Sequence, residues 1–169
     1  MNKQISIIVA IDKQNAIGNK GDQLCYISED LKRFRILTTG HTIVMGHKTQ
    51  QALPKGFLPN RRNIVLSHDP HLTIENVEVM HSVEEVMNTI PNNDITYVIG
   101  GAKVYSLFFD YADTLEVTEI DYTFDEADTH FPAISKETWQ ITDVSDIRTD
   151  EKCGLKYRYV TYKRIPSTI

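Results

Sequence analysis

The run Gln4–Ala10 carries Ile5, Ile7, Ile8 and Val9 and has almost no polar side to turn toward water. Such a strand must be covered on both faces, so the rest of the chain has to supply layers above and below it. Short β-rich segments recur at His41–Met45, Asn63–Ser67, Ile95–Ile99 and Thr114–Ile120, with Val77–Met80 a further candidate. Helices are expected between them: Ser28 to about Leu37, His47 to about Leu53, and Ala102–Phe109. Ser82 with Glu85 three residues on forms a capping box that opens another, to about Ile90. After Asp128-Thr129-His130-Phe131-Pro132 the character changes. Trp139–Val144 and Leu155–Arg164 are strands joined by a polar loop, and Tyr157, Tyr159 and Thr161 alternate with Arg158, Val160 and Tyr162. The pattern predicts an α/β fold over residues 1–169 as a single domain. Its centre is a mixed, mainly parallel sheet of about eight strands, with helices on both faces and an antiparallel C-terminal hairpin.

Composition narrows the function classes. A net charge of −5 over 169 residues offers no global attraction for nucleic acid or an anionic membrane, so any anion site must be a local cluster. Cys25 and Cys153 are too few for a disulfide framework. The apolar run Ile5–Ile11 is short and broken by Ser6; it is a strand, and neither a signal peptide nor a membrane span. A cytoplasmic protein with no nucleic-acid or membrane partner is expected, and a monomer.

The helix from Ser28 poses the first chemical question. At about 100° per residue, Ile27, Leu31 and Phe34 form one apolar stripe, Asp30 borders it, and Glu29, Lys32 and Arg33 point to water. Asp30 then either favours the positive end of the helix dipole or is a half-buried carboxylate with a raised pKa that binds a polar ligand or handles a proton. A long polar loop, Ile11–Leu24, precedes it and has the length of a lid or binding loop.

Three strand ends meet a following turn or helix. Met45-Gly46-His47-Lys48-Thr49 joins glycine to a lysine, an imidazole and a hydroxyl. Ile99-Gly100-Gly101-Ala102-Lys103 offers bare backbone and a lysine in the first helical turn, where a cation opposes the dipole. Leu66-Ser67-His68 closes a third strand. Each is an ordinary turn or a phosphate site; three along one sheet edge suit a ligand with several phosphates. The Gly40–Thr49 stretch has the wrong spacing for a Walker loop, and no Gly-x-Gly-x-x-Gly fingerprint is present. Arg61-Arg62, after a proline-rich turn, is a solvated basic pair or a guanidinium fork for a carboxylate. The histidines and cysteines lack metal-ligand spacing and no serine sits in a nucleophile elbow, so neither a structural metal nor covalent catalysis is expected.

Taken together these residues resemble dihydrofolate reductase. The segments that carry the likeness are Ile5–Ala10, Ala16-Ile17-Gly18, Glu29–Phe34, Ile43–Thr49, Leu58–Ser67, Val98–Tyr105 and Asp128–Pro132, in the family's order and spacing. The resemblance implies NADPH-dependent reduction of dihydrofolate to tetrahydrofolate, with antifolate inhibitors as further ligands. Asp30 matches the family's active-site acid, which promotes protonation of the pterin's imine nitrogen. Arg61 matches the arginine that grips the α-carboxylate of the substrate's glutamate tail. Ile8, Val9, Leu31, Phe34, Leu53 and Ile99 match the apolar walls, and Thr118 the hydroxyl behind the acid. Ala10, Ile17, Gly18, Gly46, Lys48, Thr49, Leu66, Ser67, Gly100, Gly101, Ala102, Val104 and Tyr105 match the cofactor groove. His47, His68 and Lys103 fall where the family places groups for the 2′-phosphate, and the Ile11–Leu24 loop becomes a lid over the nicotinamide.

Five positions depart from the family's pattern. Leu24-Cys25 replaces the usual Pro-Trp, with Tyr26 next. His47 stands in place of an arginine, Gln50 of an aromatic residue, and Ala102 of a third glycine. The nearest rivals are a reductase of another pterin or of a riboflavin-pathway intermediate, and a folate- or dinucleotide-binding protein without catalysis. Asp30 with Arg61 argues against the first, and Asp30 with Gly100-Gly101 against the second.

Overall fold

The computed structural model describes residues 3–19, 22–23 and 26–166. Its elements are β1 (Gln4–Ile11), β2 (Ala16–Asn19), β3 (Asp22–Gln23), α1 (Ser28–Thr38), β4 (Thr42–Gly46), α2 (His47–Gln51), β5 (Arg62–Leu66), β6 (Glu78–Met80) and α3 (Val83–Thr89), and then β7 (Ile95–Gly100), α4 (Ala102–Phe108), β8 (Thr114–Ile120), β9 (Thr129–His130), β10 (Trp139–Val144), β11 (Arg148–Thr149) and β12 (Lys156–Arg164). A 3₁₀ turn at Phe109–Tyr111 extends α4.

The apolar run that opens the chain takes the middle of the main sheet, whose order is β10-β12-β8-β1-β7-β4-β5-β6, with β11 paired to β12. From β8 across to β6 all neighbours are parallel, whereas β12 pairs antiparallel with both β8 and β10. This is the mixed, mainly parallel sheet expected of the pattern. Strand alternation then sorts side chains between two cores. Ile5, Ile7, Val9 and Ile11 face one way and pack with Val86 of α3 and Val104 and Phe108 of α4. Ile8 faces the other way, onto Ile43, Met45, Val65 and Tyr97, beneath Leu37 of α1.

Three local expectations differ from what forms. Ile11–Leu24 is not an unstructured loop: β2 pairs with β3 and, antiparallel, with β9, as a small second sheet. Buried Asp12 anchors its base, accepting the amides of Gln14 (2.8 Å), Ala16 (2.9 Å) and Phe124 (2.9 Å). The partner strand lies far away in sequence, so local composition could not announce the pairing.

Ser28 is the first helical residue and not the N-cap. Ile27 holds that position without a side-chain cap. The anion at this helix end comes from the β11–β12 turn. Asp150, 5% exposed, accepts the amides of Cys153 (2.9 Å) and Lys152 (3.1 Å). Those bonds, with one from the Ser28 amide, hold its carboxyl below the usual range.

The third difference is the helix face. Leu31 is 50% exposed, while Arg33, expected in water, is tucked against the sheet with its side chain 23% exposed. Sheet acids and tyrosines under α1 draw the polar residues inward, which a wheel of hydrophobicity alone cannot anticipate. The Ser82 cap forms as expected, its hydroxyl accepting the Glu85 amide at 3.0 Å, while the Glu85 carboxylate reaches one residue further back than the box requires, to the His81 amide at 3.0 Å.

Candidate active site

Asp30 lies in the first turn of α1, above the C-terminal half of β8. Thr118, buried on β8, donates its hydroxyl to Asp30 Oδ1 at 2.6 Å. Burial pushes the Asp30 carboxyl above its ordinary value, and the Thr118 bond and the nearby Arg33 charge pull it partly back. An acid in this state can hold a proton at a pH where surface carboxylates have lost theirs. Beside it, Leu31 is exposed and Phe34 half-buried. Ile8, Leu53 and Ile99 all pack on the Ile43, Met45, Val65 and Tyr97 cluster, as does Leu37 of α1, so the sheet face that α1 covers is apolar there.

Val9 departs from that set. Its side chain is 4% exposed and lies in the core on the opposite face of the sheet. The period of two along β1 allows Ile8 and Ala10, but not Val9, to present side chains on the Asp30 side. Tyr105 of α4 ties the floor together, its one hydroxyl proton shared between the carbonyls of Ile8 (2.8 Å) and Ile99 (2.9 Å). Burial of that phenol drives its pKa far upward, so it acts as a fixed donor.

At the other end of α1, Arg61 donates to the Thr38 hydroxyl and the Pro59 carbonyl, both at 3.0 Å. Burial and the neighbouring Arg35 lower its pKa. Among the described residues no carboxylate forms an ion pair with either guanidinium. Two cations side by side, with no acid paired to them among the described residues, suit a carboxylate ligand. Nothing in the sequence singles out Arg35; its spacing of five residues from Asp30 along α1 carries no signal apart from position. Arg62, by contrast, is engaged by Glu78 at 2.6 Å; of the basic pair, only Arg61 is left for a ligand.

The three glycine or hydroxyl strand ends converge on one edge. Register places Gly46 beside Leu66 and Met45 beside Gly100. A Cβ on Gly46 would lie 3.2 Å from Val104 Cγ2 and 3.9 Å from the Gly101 amide, and one on Gly101 would lie 3.6 Å from Thr49 Oγ1. Gly100 has φ +128°, which side-chain-bearing residues rarely adopt, and a Cβ there would sit 3.3 Å from the Tyr105 hydroxyl. The Gly100–Gly101 peptide is cis. Gly46 and Gly101 serve as N-caps of α2 and α4 without any side-chain cap bond. First-turn amides of two helices thus meet at one edge, behind N-cap residues that carry no side chain, which fits a pyrophosphate.

Around that edge, His47 and Thr49 are half-buried, and Lys48, His68 and Lys103 are exposed, so cations are available to further phosphate oxygens. Ser67 is half-buried; its hydroxyl accepts the Asp69 amide at 3.2 Å. His81 donates from Nδ1 to the Ser67 carbonyl at 2.9 Å. That histidine lies in no strand-end motif, and only the packing of β6 beside β5 brings it here. Ala10 and Ile17 are half-buried and Gly18 buried where the small sheet meets the main one; Ala102 opens α4. Leu24 and Cys25, which stand in place of the usual Pro-Trp pair, lie outside the described residues.

The chain is similar to known proteins over nearly its whole length. The family model for dihydrofolate reductase matches residues 4–164. A dihydrofolate reductase of Staphylococcus haemolyticus is 35% identical over 162 residues, covering 96% of each chain. One of Bacillus subtilis is 34% identical over 160 residues, 95% of this chain and 94% of that one. Among solved structures, dihydrofolate reductase from Enterococcus faecalis, complexed with NADP(H) and RAB-propyl, superposes with a TM-score of 0.87. It is 34% identical and covers 96% of this chain and 97% of its own.

Proposed function

The chain belongs to the dihydrofolate reductase family, and from that premise we propose how its residues divide the work of reducing 7,8-dihydrofolate to tetrahydrofolate with NADPH. The observation that carries the reading is the Asp30 carboxylate. It is held by the Thr118 hydroxyl, raised in pKa by burial, and carried on the helix that covers an apolar face of the sheet. When bound, NADPH supplies the hydride.

Asp30 binds the polar edge of the pterin and favours protonation at the imine nitrogen next to the carbon that is reduced. Thr118 keeps the carboxylate pointed at that edge. Leu31, Phe34, Ile8, Leu53 and Ile99 hold the flat ring and exclude water from it. Arg61, with Arg35 alongside, takes the carboxylates of the glutamate tail, a use that substrates without such a tail do not have. The backbone amides at the starts of α2 and α4 would hold the pyrophosphate. Thr49, Lys48, His47, His68 and Lys103 would meet its remaining oxygens and the 2′-phosphate. Ala10, Ile17, Gly18 and Tyr105 would frame the nicotinamide end, and Leu66 and Ser67 the adenosine end.

The same reading makes the protein a cytoplasmic monomer whose partners are dihydrofolate and inhibitors of its shape. No helix among the described residues is long and apolar enough to cross a membrane.

The test is the loss of NADPH absorbance on adding dihydrofolate, with NADH and Asp30→Asn run in parallel. Turnover should favour NADPH. Asp30→Asn should keep the fold and NADPH binding, lose most turnover near neutral pH, and recover partly on acidification as solvent protonates the substrate. Wild-type rates for Asp30→Asn across that range would refute the assignment.

A further inference from the structure

The face of the sheet beneath α1 carries an unusually polar patch. Register sets Thr118 of β8 opposite Tyr159 of β12, and Glu116 opposite Thr161, so four side chains form a block under the helix. Asp30 and Arg33 are one helical turn apart and both reach it. While Thr118 donates to Asp30, the Arg33 guanidinium donates to Glu116 Oε2 at 2.8 Å. Its Cζ lies 4.3 Å from the centre of the Tyr159 ring. The Thr161 hydroxyl donates to the same Glu116 oxygen at 3.0 Å. The Arg33 and Glu116 side chains are only 23% and 16% exposed, so this pair has given up much of its hydration, a cost that a surface pair avoids.

Few other charges bear on Asp30. On its own helix, Glu29 is turned aside, accepting the Tyr157 hydroxyl at 2.6 Å and pairing with Arg148 of β11. From β8 come Thr118 and Glu116, from β12 Tyr157 and Tyr159, and from α4 Tyr105. The three phenols are driven upward by burial and stay neutral. Arg33 is therefore the cation that offsets burial at the acid, and Glu116 is the anion that Arg33 neutralises in turn.

We propose that Arg33 is a positioning residue for Asp30: gripped by the Glu116 carboxylate and the Tyr159 ring, its guanidinium seats the helical turn that bears the acid and keeps a compensating positive charge beside it. The inference rests on the reading of Asp30 as the group that governs substrate protonation. The planar fork is what allows one cation to bond an acid and stack on a ring together, so lysine is a poor substitute. Removing Arg33 alone takes away the compensating charge and leaves Glu116 unpaired nearby. Both effects make Asp30 hold its proton to higher pH. Removing the Glu116 charge alone acts in the opposite direction, and removing both leaves the local charge balance close to its starting point.

The experiment is the single-turnover rate of NADPH oxidation by dihydrofolate against pH, for the wild type, Arg33→Gln, Glu116→Gln, the double variant and Asp30→Asn, with thermal melts alongside. The midpoint at which the rate falls with rising pH should move up by about 0.5–2 pH units in Arg33→Gln, from the Coulomb interaction of charges one helical turn apart. It should move down in Glu116→Gln and return near the wild-type position in the double variant. Arg33→Lys should restore part of the shift and little of the melting temperature. Profiles that superimpose on the wild type after scaling, whatever the melts do, would overturn the proposal and leave Arg33 as a plain helix anchor. Glu116→Gln tests the sign even if Arg33→Gln fails to fold. Should Asp30→Asn itself keep the wild-type profile, the reading of Asp30 falls and this proposal with it. An altered Asp30→Asn profile beside unmoved Arg33→Gln and Glu116→Gln profiles sinks this proposal alone.

Discussion

Replacing Thr118 by valine exchanges a hydroxyl for a methyl of nearly the same shape at a site that is 2% exposed, so little is lost in packing. What goes is the 2.6 Å donation to Asp30 Oδ1. A hydrogen bond to an ionised acceptor is worth about 1.5–3 kcal/mol, and more is at stake when the acceptor is left desolvated without a donor. The Asp30 carboxyl already sits above its unfolded value in the folded protein because of burial. An acid raised on folding destabilises the fold above its native pKa, and that penalty fades as pH falls toward the ordinary carboxylate range. Loss of Thr118 raises the native value further, so the penalty deepens on the alkaline side. Thr118→Val should therefore cost about 1.5–3 kcal/mol at about pH 8, and less at about pH 5, nearer the ordinary carboxylate range. For a domain of this size that is a fall in Tm of roughly 3–12 °C at the higher pH. Urea unfolding at both pH values, with NADPH binding measured as a control on the fold, checks the prediction. Equal losses at the two pH values, or a greater loss in acid, would refute the electrostatic account of this bond.

Arg61→Lys keeps a positive charge but loses the fork, and should raise KM for dihydrofolate by about tenfold or more with little change in kcat; steady-state kinetics with a pterin lacking the glutamate tail should show no difference. Asp12→Ala removes the acceptor of three backbone amides, and should lower stability by about 2 kcal/mol or more. Hydrogen exchange should accelerate at Gln14, Ala16 and Phe124 while amides of β4 and β7 stay protected.

Features set by short-range pattern are legible in the amino-acid sequence. The Ser82 cap, the buried run of β1 and the order of βα units depend on neighbours within a few residues, and each forms as its local chemistry dictates. The glycines of the sheet edge belong with them, since a strand closed by glycine and followed by a helix constrains backbone and ligand alike. Val9 shows the limit: alternation is visible in the sequence, yet which parity faces α1 depends on how the sheet is covered.

By itself, then, the sequence determined the α/β architecture, the placing of an acid at the start of α1, an arginine after the proline turn and phosphate-suited strand ends. Those are consequences of periodicity, turn chemistry and dipole placement, all local. Tertiary structure alone decided what surrounds each group. It paired β2 with β9, brought Asp150 to the start of α1, set Arg35 beside Arg61, and drew Arg33 down onto Glu116 and Tyr159. Long-range strand register and helix packing set those distances, and the charge state of Asp30 follows from them.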